Sequence, residues 1–82
     1  MKIHIEKVGH VRERMKERGI TESDISEVLE NPSTSWSSGN GKSKVFSGSV
    51  ADGRVIRVVV IDPPEIDGTL IVKTAYDPQL EA

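Results

Sequence analysis

The chain has 82 residues, of which 35% are hydrophobic and 29% are charged, and its formal net charge is −2. This length allows one small domain, which we expect over residues 1–82 with a core at 2–76 and a frayed tail at 77–82. The absence of Cys excludes disulfides and thiolate metal sites, and we expect neither a metal nor a cofactor.

The charges are grouped along the chain. Residues 1–20 carry +3, residues 21–34 carry −4, residues 35–61 carry +3 and residues 62–82 carry −4, counting Lys and Arg against Asp and Glu. The small net charge gives no global field that attracts nucleic acid. The two basic blocks form a basic patch if they meet in space, and otherwise they are solvated surface. The charged N-terminus and the lack of a long apolar run predict a cytoplasmic protein.

The first elements are predicted to be a short strand and a helix. Residues 2–6 alternate with Ile3 and Ile5 on one side, which indicates a strand. Residues 7–18 form the first predicted helix, and Gly19 is suited to the left-handed residue that follows a helix end. The apolar stripe of this helix is Val8, Val11 and Met15.

A second helix is predicted to follow after a very short joint. Thr21 is expected to cap its N-terminus together with Asp24, and Pro32 ends it because the residue before a proline disfavours helical backbone. Its buried face is Ile25, Val28 and Leu29.

The second half of the chain predicts strands and loops. Residues 33–43 are rich in Ser and Gly and indicate a mobile loop, and Asp52-Gly53 is a hairpin signal. The remaining predictions are a strand at 44–50, a central strand at 54–61 with both faces covered, a loop at 62–68 and a last strand at 69–76. Together they predict an α+β fold in which a helical hairpin packs on one face of a three- to four-stranded antiparallel sheet.

One row of polar side chains on the first helix points to function. His10, Arg14 and Arg18 follow each other at intervals of four residues, so they lie beside the apolar stripe. A histidine titrates near neutral pH and can transfer protons, and arginine binds phosphate bidentately. The plainer alternatives are a packing or capping histidine, an ion pair for Arg14, and a favourable helix-dipole interaction for Arg18.

Several short motifs occur in a characteristic order and spacing. They are His10, Arg14, Arg18-Gly19-Ile20, Asn31-Pro32, Gly53-Arg54 and Thr74-Ala75-Tyr76. This pattern resembles the domain of unknown function 4258 family, a group of small bacterial domains, over residues 8–76, and Val11 is a minor departure from it. More distantly, the sequence resembles RelE-like and barnase-like ribonuclease toxins.

The resemblance implies a RelE-like fold and a toxin–antitoxin domain that binds RNA, and metal-independent cleavage of that RNA is a further hypothesis. In that hypothesis His10 is the general acid or base, Arg14 and Arg54 hold the phosphate, and Tyr76 and Thr74 position it. The expected partners are RNA and a protein such as an antitoxin. The residues expected to contact nucleic acid are Arg18, Trp36, Lys44, Arg57 and Thr74.

Each of these residues also has a structural interpretation. Arg54 and Arg57 interrupt an apolar strand and need a partner, which is either a carboxylate or a phosphate. Lys44 suits a strand-edge charge that discourages aggregation. Tyr76 is suited to a core position in which its hydroxyl group is hydrogen-bonded, and Trp36 is suited to covering the edge of the core. The alternative function is therefore a non-catalytic module that binds a protein through a sheet edge or the acidic second helix.

Overall fold

The computed structural model describes residues 2–5, 11–39, 41–62 and 64–79. Two helices, α1 (Val11–Arg18) and α2 (Glu22–Glu30), follow a first strand, β1 (Ile3–Ile5). Four strands come after them, and these are β2 (Thr34–Ser38), β3 (Ser43–Ser49), β4 (Val55–Ile61) and β5 (Leu70–Tyr76). None of the helices in the described ranges is long and apolar enough to cross a membrane.

The sheet has five strands in the order β1-β5-β4-β3-β2. Three neighbouring pairs are antiparallel, and β1 pairs with β5 in parallel. The prediction of a three- to four-stranded antiparallel sheet is therefore wrong in strand number and in direction, although the fold is α+β. The missing strand is β2, which lies in the segment predicted as a loop, and hydrophobic periodicity carries no information on the direction in which two strands pair.

The helical hairpin packs on one face of the sheet. The predicted helix residues Val11, Met15, Ile25, Val28 and Leu29 all lie in the hydrophobic core. On the sheet side this core contains Ile56, Val58, Val60 and Val72, with Leu70 packed against it. The predicted contact between the two apolar faces is confirmed, while Val8 lies outside the described residues.

The helix joint is closed by hydrogen bonds at both helix ends. Gly19 has φ +68, and the N–H groups of Gly19 and Ile20 donate to the carbonyl oxygens of Lys16 and Met15 at 3.3 and 2.8 Å. This is the two-bond cap that a left-handed residue allows after a helix. At α2, Asp24 N–H donates to Thr21 Oγ1 and Thr21 N–H donates to Asp24 Oδ2, both at 3.1 Å. Both predicted caps are confirmed.

The central strand β4 is covered on one face only. Its even-numbered residues are completely buried beneath the helices, and Val55 and Ile61 at its ends are 39% and 36% exposed. The prediction that both faces are covered is therefore wrong. A run of valine and isoleucine does not distinguish a strand covered on both faces from a strand covered on one face, because β-branched residues also favour a partly exposed strand.

Candidate functional site

The sheet face opposite the helices, here called the open face, carries most of the polar strand residues. Side chains alternate between the two faces of a strand, so Arg57 and Val59 point away from the helices that cover Ile56 and Val58. The strand pairing extends this face in two rows across the sheet. The first row is Trp36, Val45, Val59 and Thr74, and the second is Thr34, Ser47, Arg57 and Tyr76.

A β-bulge in β5 brings an additional cation onto the open face. Thr74 pairs with Val59, but the next pair is Val60 with Val72, so Lys73 is the extra residue. Val72 and Ala75 are both buried in the core, which leaves Lys73 and Thr74 together on the open face. Lys73 Nζ donates to Ser43 Oγ at 3.1 Å, a contact that reaches across β4. The bulge therefore directs Lys73 across β4 toward the beginning of β3.

Arg57 and Trp36 form the best-defined contact of the open face. The guanidinium carbon of Arg57 lies 5.1 Å from the centroid of the Trp36 ring, within the range of a cation–π interaction. Arg57 Nε is buried, and within the described part of the chain it has no hydrogen-bond acceptor. A buried donor without an acceptor is costly, and because Nε is shielded from solvent, the acceptor of a ligand reaches it only when the side chains around it move.

The open face has the chemical groups that a nucleotide requires. Arg57 and Lys73 supply positive charge, while Trp36 and Tyr76 supply aromatic rings. Thr74 and Tyr76 add hydroxyl groups, and both are half-buried. Among the described strand residues of this face there is no carboxylate. The strand residues of this face therefore carry positive charge, although Glu65 and Asp67 of the β4–β5 loop line a pocket beside His4 and Ile71 at the β1 side of the face.

His4 also lies on this face, although it was not among the candidate residues. It pairs with Ile71 of β5 and points away from the side that buries Ile5, so it is on the open face and exposed. The alternation of residues 2–6 already placed His4 on the side opposite to Ile3 and Ile5.

Arg54 lies on the other side of the sheet and has carboxylate and carbonyl partners. Its Nε donates to Asp52 Oδ2 at 2.6 Å, and its Nη2 donates to Gly19 O and Asp24 Oδ2 at 3.1 and 3.3 Å. The Arg54 N–H also donates to Asp52 Oδ1. This backbone hydrogen bond, followed by the guanidinium contact, lowers the pKa of Asp52 below its usual 3.8. Arg54 thus links the β3–β4 turn to the helix joint.

Of the row predicted on α1, the two described residues, Arg14 and Arg18, do not lie on the open face. Arg18 Nη1 donates to Ala75 O at 2.9 Å, which ties the end of α1 to β5, and Arg14 is exposed on the same helix. Lys44 is on the helix-covered side of β3, with its Nζ 5.3 Å from the Phe46 ring. His10 lies outside the described residues.

The structure therefore divides the candidate residues into two groups. Trp36, Arg57, Thr74 and Tyr76 come together on the open face, whereas Arg14, Arg18, Lys44 and Arg54 belong to the helix side. Arg54 and Arg57 are three positions apart, and a period of two places such residues on opposite faces of a strand. That signal was present in the sequence, where both had been considered as phosphate ligands.

Comparison with known proteins identifies the family of this chain, but it finds no relative of established activity. No curated protein and no solved structure matches the chain. The similarity to RelE-like ribonuclease toxins is thus not shown by these comparisons. The family described as "Domain of unknown function (DUF4258)" matches residues 9–77, a range that includes the helical hairpin, strands β2 to β5 and all the open-face residues that these strands carry. The predicted family is thereby confirmed, and the chain belongs to the DUF4258 family.

Proposed function

We propose that this chain binds single-stranded RNA on its open face. The observation that carries the proposal is the Arg57 guanidinium, which lies over the Trp36 ring and has a buried Nε without an acceptor in the described residues. A phosphate oxygen supplies that acceptor once the side chains that shield Nε move aside, and charge-assisted hydrogen bonds between arginine and phosphate are among the strong ones.

The arrangement of aromatic and basic groups favours a single strand over a duplex. Unpaired bases stack on exposed aromatic rings, and a positive surface follows the backbone. Trp36 is 38% exposed at one end of a row that ends at Thr74, and Tyr76 is directly beside Arg57 on the next strand. When a base stacks on Trp36, the phosphate group of that nucleotide lies on the side of Arg57, Lys73 and Thr74.

Titration of a fluorescein-labelled single-stranded RNA tests this proposal by fluorescence anisotropy. Arg57→Ala is expected to weaken binding about tenfold and to reduce the slope of log K against log salt by about 0.7, the value for one lost contact with a single-strand phosphate. Trp36→Ala is expected to weaken binding about tenfold, because a stacked base loses its platform.

Arg14→Ala is the matched control because it removes the same charge from an exposed position on α1. It is expected to leave the affinity and the salt slope unchanged. If Arg14→Ala weakened RNA binding and Arg57→Ala did not, the RNA site would lie on α1, and the proposal would be overturned. A wild-type chain that does not bind RNA at low salt also overturns it, and it favours the protein-interaction module instead.

The same RNA separates binding from cleavage. A metal-independent ribonuclease works in EDTA and leaves cyclic or 3′-phosphate ends, and it needs a group that titrates near neutral pH. If the wild type cuts, His10→Ala is expected to slow cleavage by about 10²–10⁴-fold, and His4→Ala serves as the comparison on the open face. If the wild type binds the RNA and does not cut it, the function of the open face is binding alone.

A further inference from the structure

Strand β2 is an unprotected edge of the sheet. All five of its residues are exposed, and its register with β3 is continuous from Thr34 to Ser38. The eleven residues from Asn31 to Gly41 contain no charge, in a chain that is 29% charged. Edge strands usually carry lysine, proline or a bulge that prevents pairing with another chain, and β2 has none of these. The opposite edge, β1, is protected by its length of three residues.

We propose that β2 pairs with β2 of a second copy of this chain, antiparallel and about a two-fold axis through Trp36. Trp36 is the middle residue of the strand, so this register sets Thr34 opposite the partner's Ser38 and Ser35 opposite the partner's Ser37. The two Trp36 residues lie opposite each other at the axis on the open face, and each ring, which contacts Arg57 of its own copy, is 38% exposed in the single chain.

The absence of charge is the argument for a second copy over a different protein. In a two-fold pair only the residue on the axis faces its own copy, whereas residue 35 faces residue 37 of the other copy, so like charges at 35 and 37 would repel each other across the axis. A strand that binds a different protein gains specificity from charges complementary to those of its partner, and β2 has no charged residue. A neutral edge built of Ser, Thr and one central Trp is compatible with its own copy.

The paired edges form one continuous sheet with five strands from each copy. A two-fold contact uses both β2 edges, so the assembly closes as a dimer and does not grow into a filament. The interface is one pair of short strands, which is small compared with stable dimer interfaces, and the dimer is therefore weak. This inference concerns the sheet edge and does not rest on RNA binding.

Sedimentation velocity over a concentration range from about 10 μM to about 1 mM tests the proposal, because weak dimers populate only at the upper end. The wild type is expected to shift from monomer to dimer across this range. Trp36 is the only tryptophan, and its fluorescence emission is expected to shift to shorter wavelength as the protein concentration rises, because dimer formation reduces its exposure to solvent.

The double variant Ser35→Glu/Ser37→Glu is expected to raise the dissociation constant about tenfold, because it places two pairs of like charges across the axis. Glu is chosen because residue 37 is opposite Lys44 on β3, so the folded monomer tolerates it. Ser23→Glu/Ser49→Glu, at exposed positions on α2 and at the end of β3, adds the same charge and is expected to dimerise like the wild type.

A mixture tests the two-fold register directly. Ser35→Lys is opposite residue 37 of the other copy, so it is expected to form a heterodimer with labelled Ser35→Glu/Ser37→Glu and to restore the wild-type affinity. Circular dichroism melts check that each variant is folded. A wild type that remains monomeric at about 1 mM overturns the proposal, as does a dimer insensitive to the Glu pair or a mixture that does not associate.

Discussion

Arg54 illustrates how a residue with functional potential is used for structure. It was expected to hold a phosphate, and in the structure its guanidinium contacts Asp52, Asp24 and the Gly19 carbonyl oxygen. Its side chain is 30% exposed and that of Asp24 is 16% exposed, so these contacts are only partly screened by solvent. Arg54 therefore joins the β-hairpin turn to the helix joint.

Arg54→Ala is expected to lower the free energy of unfolding by about 1–2 kcal/mol, since hydrogen bonds to a charged, partly buried group are lost. Urea denaturation measures the change, and Arg14→Ala is the control with little expected effect. An Arg54→Ala variant as stable as the wild type but defective in RNA binding would contradict the structural role. It would instead support the phosphate contact predicted from the sequence.

At the scale of elements, the joint between α1 and α2 is the best-specified part of the chain. Both helix caps are supplied by residues 19–21 together with Asp24, and Gly19 provides the positive φ of +68 that the first cap requires. An added Cβ at Gly19 has Arg54 Nη1 at 3.7 Å, which is an ordinary contact. The requirement for glycine is therefore one of backbone conformation and not of space.

Gly19→Val is consequently expected to be more destabilising than Thr21→Ala, which removes one cap and costs ~1 kcal/mol. A β-branched residue resists positive φ more strongly than alanine does, so Gly19→Ala should fall between the wild type and Gly19→Val. Urea midpoints of the variants give the order. A Gly19→Val midpoint equal to that of the wild type would show that the joint adopts another conformation in solution.

At the scale of the whole molecule, two exposed aspartates, Asp52 beside Arg54 and Asp67 beside Thr69 and Lys2, make stability depend on acid. Hydrogen bonds from the side chain and backbone of Thr69, with a further contribution from Lys2, lower the pKa of Asp67 below 3.8. The pKa of Asp52 is lowered in the same direction by Arg54. A carboxyl group with a lowered folded-state pKa stabilises the fold above its unfolded pKa and loses this contribution as the pH falls through the folded value.

The thermal midpoint is therefore expected to be flat above about pH 5 and to fall as the pH decreases through 3.8 and below. Asp52→Asn should have a lower midpoint at neutral pH and a smaller decrease on acidification, because its contribution is already absent. Calorimetric scans from neutral to acidic pH measure both effects. Parallel curves for Asp52→Asn and the wild type would contradict the assignment to Asp52.

The amino-acid sequence by itself determined the elements whose signals are local. Thr21, Asp24 and Gly19 specify the helix joint through hydrogen bonds that span only a few residues. The apolar faces of both helices and the Asp52-Gly53 turn follow from short-range periodicity and backbone preference in the same way. These predictions were confirmed because the groups that stabilise each feature are close together in the chain.

Only the tertiary structure decided the features that depend on distant partners. Residues 34–38 lack an alternating apolar pattern, and they form β2 because β3 offers an edge with free backbone groups. The parallel pairing of β1 with β5 depends on where the helical hairpin returns the chain. The open face follows from this register, because three different strands must align before Trp36, Arg57 and Tyr76 become neighbours.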